Sequence, residues 1–283
     1  MYYTADETIE RFIKEDVPYI DLTTLVLNIG QQKGKMQFAS RDNAVICGTE
    51  EVKRIFSRLD IDLLRFVPSG TCVGQGEVFL EAQGAADSLH MAWKVSMNIL
   101  EYSSGIATRT KKLVDKAKSV NPKIELVATR KIFPGTKELA IKAVVAGGGF
   151  PHRLGLSETV LIFKQHTAFL GGTEELLKRM EEIKAKACEK KIIVETECKE
   201  DAIRLSKAGV DGIQFDKIPP AVLKECVEEI KTVNPGIILI GTGGIHEGNI
   251  EEYAGTGVDI ISTTWVYFGK PVDIGVTMEK TGV

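Results

Sequence analysis

The chain has 283 residues, of which 43% are hydrophobic and 27% charged, and its formal net charge is -3. This apolar content suits one large domain, or a small domain plus a barrel. The balance excludes a general nucleic-acid binder, which carries a basic excess, so any cationic site is local. No stretch reaches the roughly 18 apolar residues that span a bilayer. The opening MYYTADETIERFIKEDVPYID lacks the basic-then-apolar run of a signal peptide. Cys47, Cys72, Cys188, Cys198 and Cys226 form no CxxC pair, which predicts reduced thiols and a cytoplasmic location.

In chain order, residues 6–16 read as a short acidic helix and 50–59 as a second. Strands are predicted over 35–39, 43–47 and 77–82, with Gly70, Gly74, Gly76 and Gly84 at the turns. Together these predict a small α+β layer. Ser88 to Thr110 carries apolar residues at three-to-four spacing (Met91, Val95, Ile99, Tyr102), a long helix that Gly105 is expected to bend or interrupt. From residue 124 the rhythm becomes strand, helix, strand. Strands are predicted over 124–129, 158–163, 191–197, 212–216, 236–242 and 258–264. Helices are predicted over 136–146, 173–189, 200–208, 219–233 and 246–254. These strands are too apolar and β-branched to be half exposed, so they are expected as parallel strands covered by helices. Six of them, with room for another, predict an α/β barrel; an open doubly wound sheet is the alternative.

In such a barrel the chemistry gathers at the C-terminal ends of the strands. Arg130 and Lys131 follow the first strand, and Lys164 and His166 the second. Glu195 lies near the end of the third and Asp216 ends the fourth. Gly243 and Gly244 follow the fifth, and the connection after Gly147–Gly149 adds His152 and Arg153. Guanidiniums grip carboxylate or phosphate with paired donors. Carboxylates accept from ribose hydroxyls or hold a hard divalent cation. GTGGI (241–245) is expected to open a helix, where free backbone N–H groups make a phosphate cradle. Singly, each feature has an ordinary explanation: GTGG is often only a turn, Asp216 can cap the next turn, and Cys198 suits packing better than catalysis. A carboxylate inside a strand is costly unless paired, which favours a role for Glu195. Five strand ends agree.

At these residues the sequence resembles the quinolinate phosphoribosyltransferase family. The segments that carry the resemblance are EDVPYIDLTT, SGIATRT, ATRKIFPG, GGGFPHRLGLSE, IVETE, QFDKI and GTGGI. It implies an N-terminal α/β sandwich followed by a C-terminal seven-stranded α/β barrel. The domains are then expected over 1–104 and 105–270, with 271–283 able to return to the first. It also implies a homodimer or higher assembly, each barrel mouth covered by the neighbour's N-terminal domain. The implied reaction joins quinolinate, or a related heterocyclic acid, to phosphoribosyl pyrophosphate. It uses magnesium and releases pyrophosphate, with carbon dioxide in the quinolinate case, to give nicotinate mononucleotide or an analogue. Magnesium and the phosphate loop stabilise the leaving group.

Carried over residue by residue, Arg130, His152 and Arg153 match the cations for quinolinate, and Lys131 a lysine near substrate and phosphate. Glu195 and Asp216 match the carboxylates for ribose hydroxyls and magnesium, held directly or through water. Thr242, Gly243 and Gly244 fall in the phosphate loop, and Thr263 and Thr264 in the next. The chain departs from the family at three places. Lys94 stands where the neighbouring subunit usually supplies an arginine. Phe163 stands where a lysine is usual, with Lys164 one place on. Thr264, Trp265 and Phe268 replace a glycine-alanine pair and a histidine. WKVSMN, TRKIFPG and GGGFPHRLGLSET are similar to the ModD branch, a paralogue associated with molybdenum transport operons. Two other readings stay open. One is an anion- or small-molecule-binding protein on the same scaffold, linked to molybdenum uptake. The other is a Schiff-base aldolase using Lys164.

Overall fold

The computed structural model describes residues 4–282; the outermost ends of the expected domains, 1–3 and 283, lie outside the described residues. In chain order the first elements are α1 (Asp6–Asp16), α2 (Leu22–Leu27), β1 (Lys33–Ser40), β2 (Ala44–Val45), α3 (Thr49–Arg58), β3 (Asp62–Phe66), β4 (Cys72–Val73), β5 (Val78–Ala85) and α4 (Ala86–Val120). There follow β6 (Glu125–Ala128), α5 (Lys137–Ala146), β7 (Phe150–Pro151), β8 (Val160–Ile162), α6 (Lys164–Leu170), α7 (Thr173–Lys178), α8 (Met180–Lys186) and β9 (Ile192–Thr196). The chain ends with α9 (Lys199–Lys207), β10 (Gly212–Asp216), α10 (Pro220–Val233), β11 (Ile238–Thr242), α11 (Ile250–Ala254), β12 (Ile260–Thr263) and β13 (Ile274–Lys280). Among the described residues, no helix is long and apolar enough to cross a membrane, and all five cysteines are free.

Two compact units result. The first holds residues 4–111, Ile132–Gly148 and 266–282 of the described chain. Its sheet is antiparallel, in the order β13-β1-β5-β3. Along β1 burial alternates, with Met36, Phe38 and Ser40 inside, as a strand with one covered face requires. Met36 and Phe38 join Ile55 and Phe56 of α3, Phe79 and Leu80 of β5, and Leu89 and Ala92 of α4 in one core. Truncating a ring such as Phe38 to alanine in such a core typically costs about 3–5 kcal/mol. β13 pairs with β1 in this sheet, Phe38 opposite Val276.

The α4 helix is continuous for 35 residues, so Gly105 does not interrupt it. A Cβ there would stand 3.1 Å from Pro271 Cα and 3.2 Å from the Lys270 carbonyl. The glycine admits the C-terminal segment rather than a bend.

The second unit spans Lys112–Lys131 and Gly149–Trp265. Its seven strands are parallel, in the order β7-β6-β12-β11-β10-β9-β8. Every strand but β7 neighbours the next in sequence, and the last, β12, pairs with the first, β6. That cyclic order belongs to a barrel; a doubly wound sheet would reverse direction at a switch point. The ring stays open between β7 and β8, so the unit is a seven-stranded open barrel. The strand that completes the seven is β7, the two residues that directly follow the glycine triplet.

Three helical expectations are corrected. The 173–189 helix is two, α7 and α8, meeting at Arg179, whose N–H is shared by the Glu175 and Leu176 carbonyls. The 246–254 helix starts only at Ile250, because side chains take the backbone first. Asn249 Oδ1 accepts from the His246 N–H at 2.8 Å, and His246 Nδ1 from the Gly248 N–H at 3.0 Å. GTGGI therefore leads into a turn, not directly into a helix. A helix not foreseen, α6, begins at Lys164 and cuts the 158–163 strand short at Ile162.

Candidate active site

The period of two along a strand puts Leu161 and Phe163, Ile193 and Glu195, Gln214 and Asp216, and Ile240 and Thr242 on one face. Leu161, Ile193 and Ile240 cluster there with Phe163, Ile238 and Ile260. Two residues past Ile193 and Ile240 the same face turns polar, at Glu195 and Thr242. A cavity of about 780 Å³ opens above this apolar floor. Arg130, Lys131, His152 and Arg153 bring positive or protonatable groups to its wall, and Glu195 and Asp216 bring carboxylates. The Thr242–Gly244 loop and Thr263 and Thr264 line it too, with Phe163 and Trp265 as aromatic surface.

A hydrogen-bond chain crosses this wall. Gln214, 5% exposed, donates from Nε2 to Glu195 Oε2 at 2.6 Å, and its Oε1 lies 2.8 Å from His152 Nε2. Register sets this up, since Gln214 stands directly beside Glu195 in the β9–β10 pair. Burial pushes the Glu195 carboxyl above its ordinary value. The Gln214 amide opposes that rise and the nearby Asp216 charge adds to it. Arg153, 9% exposed, donates to the Thr159 carbonyl at 3.3 Å. Burial, then the neighbouring Arg130 charge, lower its pKa, with Glu158 opposing. Neither Arg130 nor Arg153 has an ion pair among the described residues. The cavity thus holds two crowded cations and a destabilised carboxylate, none of them in an ion pair among the described residues.

The loop is shaped by contact. Gly243 has φ +89°, and a Cβ on it would stand 2.5 Å from both Asp216 Oδ1 and Lys217 Cγ. Thr242 Oγ1 donates to the Ser262 carbonyl at 3.1 Å, Thr263 Oγ1 to the Ile245 carbonyl at 2.7 Å, and Thr129 and Thr264 hydroxyls share a 2.9 Å bond. The N–H groups of Gly243 and Gly244 have no partner among the described residues.

Two expected site residues are not brought into this cavity. Lys164 is 71% exposed at the start of α6, its ammonium 3.1 Å from Glu197, and the lining does not include it. That removes the support for an aldolase lysine. Lys94 lies on α4 in the first unit, 4.3 Å from the Trp93 ring centroid. Phe163 does line the cavity, with the Arg153 guanidinium 6.0 Å from its ring centroid and His166 stacked at 5.8 Å. Gln214 and Lys217 are cavity residues not singled out from the sequence; both lie inside QFDKI.

Comparison with known proteins follows the same lines. Residues 21–104 match the quinolinate phosphoribosyl transferase N-terminal domain and residues 106–277 its C-terminal domain. The chain is 34% identical over 280 residues to a Pasteurella multocida protein named pyrophosphorylase ModD, covering 99% of each. It is 31% identical over 271 residues to a Methanothermobacter thermautotrophicus protein named as a carboxylating nicotinate-nucleotide pyrophosphorylase, covering 95% of this chain and 96% of that one. Its fold is similar to the crystal structure of nicotinate-nucleotide pyrophosphorylase from Ehrlichia chaffeensis, with TM-score 0.90 and 26% identity over 99% of this chain and 100% of that one.

Proposed function

The chain belongs to the quinolinate phosphoribosyltransferase family, and from that premise we propose that it transfers a phosphoribosyl group from phosphoribosyl pyrophosphate to the ring nitrogen of a heterocyclic acid. The observation that carries this reading is the set of groups gathered in one cavity: arginines at one wall, carboxylates at another, and a threonine- and glycine-rich loop between strands. A phosphorylated sugar with hydroxyls and an acidic heterocycle answer all three.

In this assignment Arg130, His152 and Arg153 hold the acceptor's acidic groups, and Lys131 adds charge toward the donor. Glu195 and Asp216 accept from the ribose hydroxyls. The Gly243 and Gly244 N–H groups, with the Thr242, Thr263 and Thr264 side chains, take a phosphate at the last two strands, where barrels commonly hold the phosphate of a sugar. We therefore assign that cradle to the sugar phosphate rather than to the departing pyrophosphate. The ring nitrogen attacks the anomeric carbon as the bond to pyrophosphate breaks, and its bonding pair leaves with the pyrophosphate oxygen. The chain's contribution is positioning and charge, with little proton transfer.

Magnesium fits the donor set. One or two carboxylates completed by substrate oxygens is its usual environment, and Glu195 and Asp216 are such a pair. Among the described residues no group of three side chains could hold a metal by itself, so substrate would complete the shell. Bound there, the ion would neutralise charge on the pyrophosphate.

A homodimer belongs to the same proposal, with Lys94 reaching the partner's cavity. Tyr19, Ile20, Leu22, Leu25, Val26 and Leu27 leave an exposed apolar run in the first unit, which monomers rarely present to water. Light scattering in solution checks it: a monomeric mass with full activity contradicts the dimer.

Incubation with phosphoribosyl pyrophosphate and a panel of pyridine and pyrimidine carboxylates tests the transfer. Acceptor-dependent pyrophosphate release is expected. Binding of the acids without any release favours the anion-binding alternative.

A further inference from the structure

Among the described residues, three other than glycine have positive φ: Asn28, Asp60 and Lys217. Asparagine and aspartate tolerate left-handed backbone, whereas lysine at φ 58° is unusual and marks a position held by its surroundings. Lys217 is held on the phosphate loop. Its N–H donates to the Thr242 carbonyl at 2.9 Å. Its backbone nitrogen would be 2.7 Å from a Cβ on Gly243. The side chain lines the cavity and is 72% exposed, with the ammonium 2.8 Å from Asp216 Oδ2. The Asp216 side chain is only 18% exposed, but the ammonium that it holds stays open to solvent, where such pairing is weak, so a better anion nearby can take the ammonium away.

We propose that Lys217 is a ligand of the donor's sugar phosphate, and that its ammonium transfers from Asp216 to that phosphate when the donor binds. The assignment rests on the phosphoribosyl reading above. The transfer has two effects. The cradle, otherwise made of neutral backbone N–H groups and threonine side chains, gains a full positive charge against a phosphate dianion. Asp216 is released from its lysine, and Oδ2 becomes free to accept a ribose hydroxyl beside the anchored phosphate. Phosphate anchoring and sugar orientation are thus linked through one side chain, and the left-handed backbone keeps that side chain between the two groups.

Calorimetric titration with ribose 5-phosphate and, separately, with inorganic pyrophosphate tests this on the wild type, Lys217→Asn and Lys217→Arg. Asparagine suits left-handed backbone, so Lys217→Asn is expected to melt no lower than the wild type. It should weaken ribose 5-phosphate by roughly ten- to a hundredfold, the range for losing a charged hydrogen bond, and leave pyrophosphate affinity unchanged. Lys217→Arg should restore most of the loss. Unchanged ribose 5-phosphate affinity in Lys217→Asn, or an equal loss for both ligands, overturns the assignment. A wild type that binds neither ligand overturns the phosphoribosyl reading itself, and the assignment with it.

Discussion

Gln214 donates to Glu195 Oε2 at 2.6 Å, and this bond decides how the amide faces His152. With the NH2 group committed to an ionised carboxylate, Oε1 must accept, so His152 Nε2 carries the proton of the 2.8 Å contact. Gln214→Leu keeps the volume but removes both bonds. It leaves a half-buried carboxylate and an imidazole without fixed partners. We expect kcat/KM to fall by roughly ten- to a hundredfold, the cost of one charged hydrogen bond, with the fold retained. Steady-state kinetics beside a thermal melt checks this; an unaltered kcat/KM removes Gln214 from the site.

Glu195 carries a stability signature. Burial raises its folded pKa, so the folded state binds the proton more tightly than the unfolded one. Stability therefore falls as pH rises from the unfolded carboxylate value through the folded one. Glu195→Gln should melt higher than the wild type at neutral pH, lose that advantage below the ordinary carboxylate range, and have little activity. Melting curves across pH decide it. A variant less stable than the wild type at pH 7 would mean that the carboxylate contributes to the fold rather than opposing it.

Gly243 and Gly244 predict a contrast. Both have positive φ, +89° and +71°, but a Cβ on Gly243 meets Asp216 and Lys217 at 2.5 Å, while one on Gly244 meets nothing within 4 Å. Gly244→Ala pays only the left-handed backbone, about 1–2 kcal/mol. Gly243→Ala must also displace Asp216, and its KM for phosphoribosyl pyrophosphate should rise well beyond that of Gly244→Ala. Equal effects would remove the packing argument.

Phe163 is expected to bias the choice of acceptor. Its ring lines the cavity near Arg153, and Lys164 is turned away onto Glu197. An aromatic ring can stack on a flat heterocycle but cannot donate to a carboxylate. Quinolinate, with two adjacent carboxylates, is expected to be a weak substrate. Phe163→Lys should raise its kcat/KM by roughly ten- to a hundredfold. No gain, together with efficient turnover of quinolinate by the wild type, would identify an ordinary quinolinate site.

The barrel was legible because β9, β11 and β12 are rich in β-branched residues, and because Arg130, Glu195 and Asp216 stand at or just past the ends of β6, β9 and β10. What escaped had physical reasons. β7 is two residues, Phe150–Pro151, too short for any period. β13 finds its partner β1 at the other end of the chain, which no local pattern reveals. α6 displaces Lys164 because the strand ends at Ile162. Gln214 reads as a polar residue in a strand until register sets it beside Glu195. Lys217 shows its importance only through a backbone angle.

The most direct measurement follows a label in the ribose of phosphoribosyl pyrophosphate, incubated with the protein, magnesium and the acceptor that best promotes pyrophosphate release. The label should appear in a nucleotide of that acceptor with the wild type, and not with Asp216→Ala or Arg130→Ala. A label that stays in phosphoribosyl pyrophosphate for every heterocyclic acid, or that moves equally well with both variants, would contradict sugar transfer in this cavity.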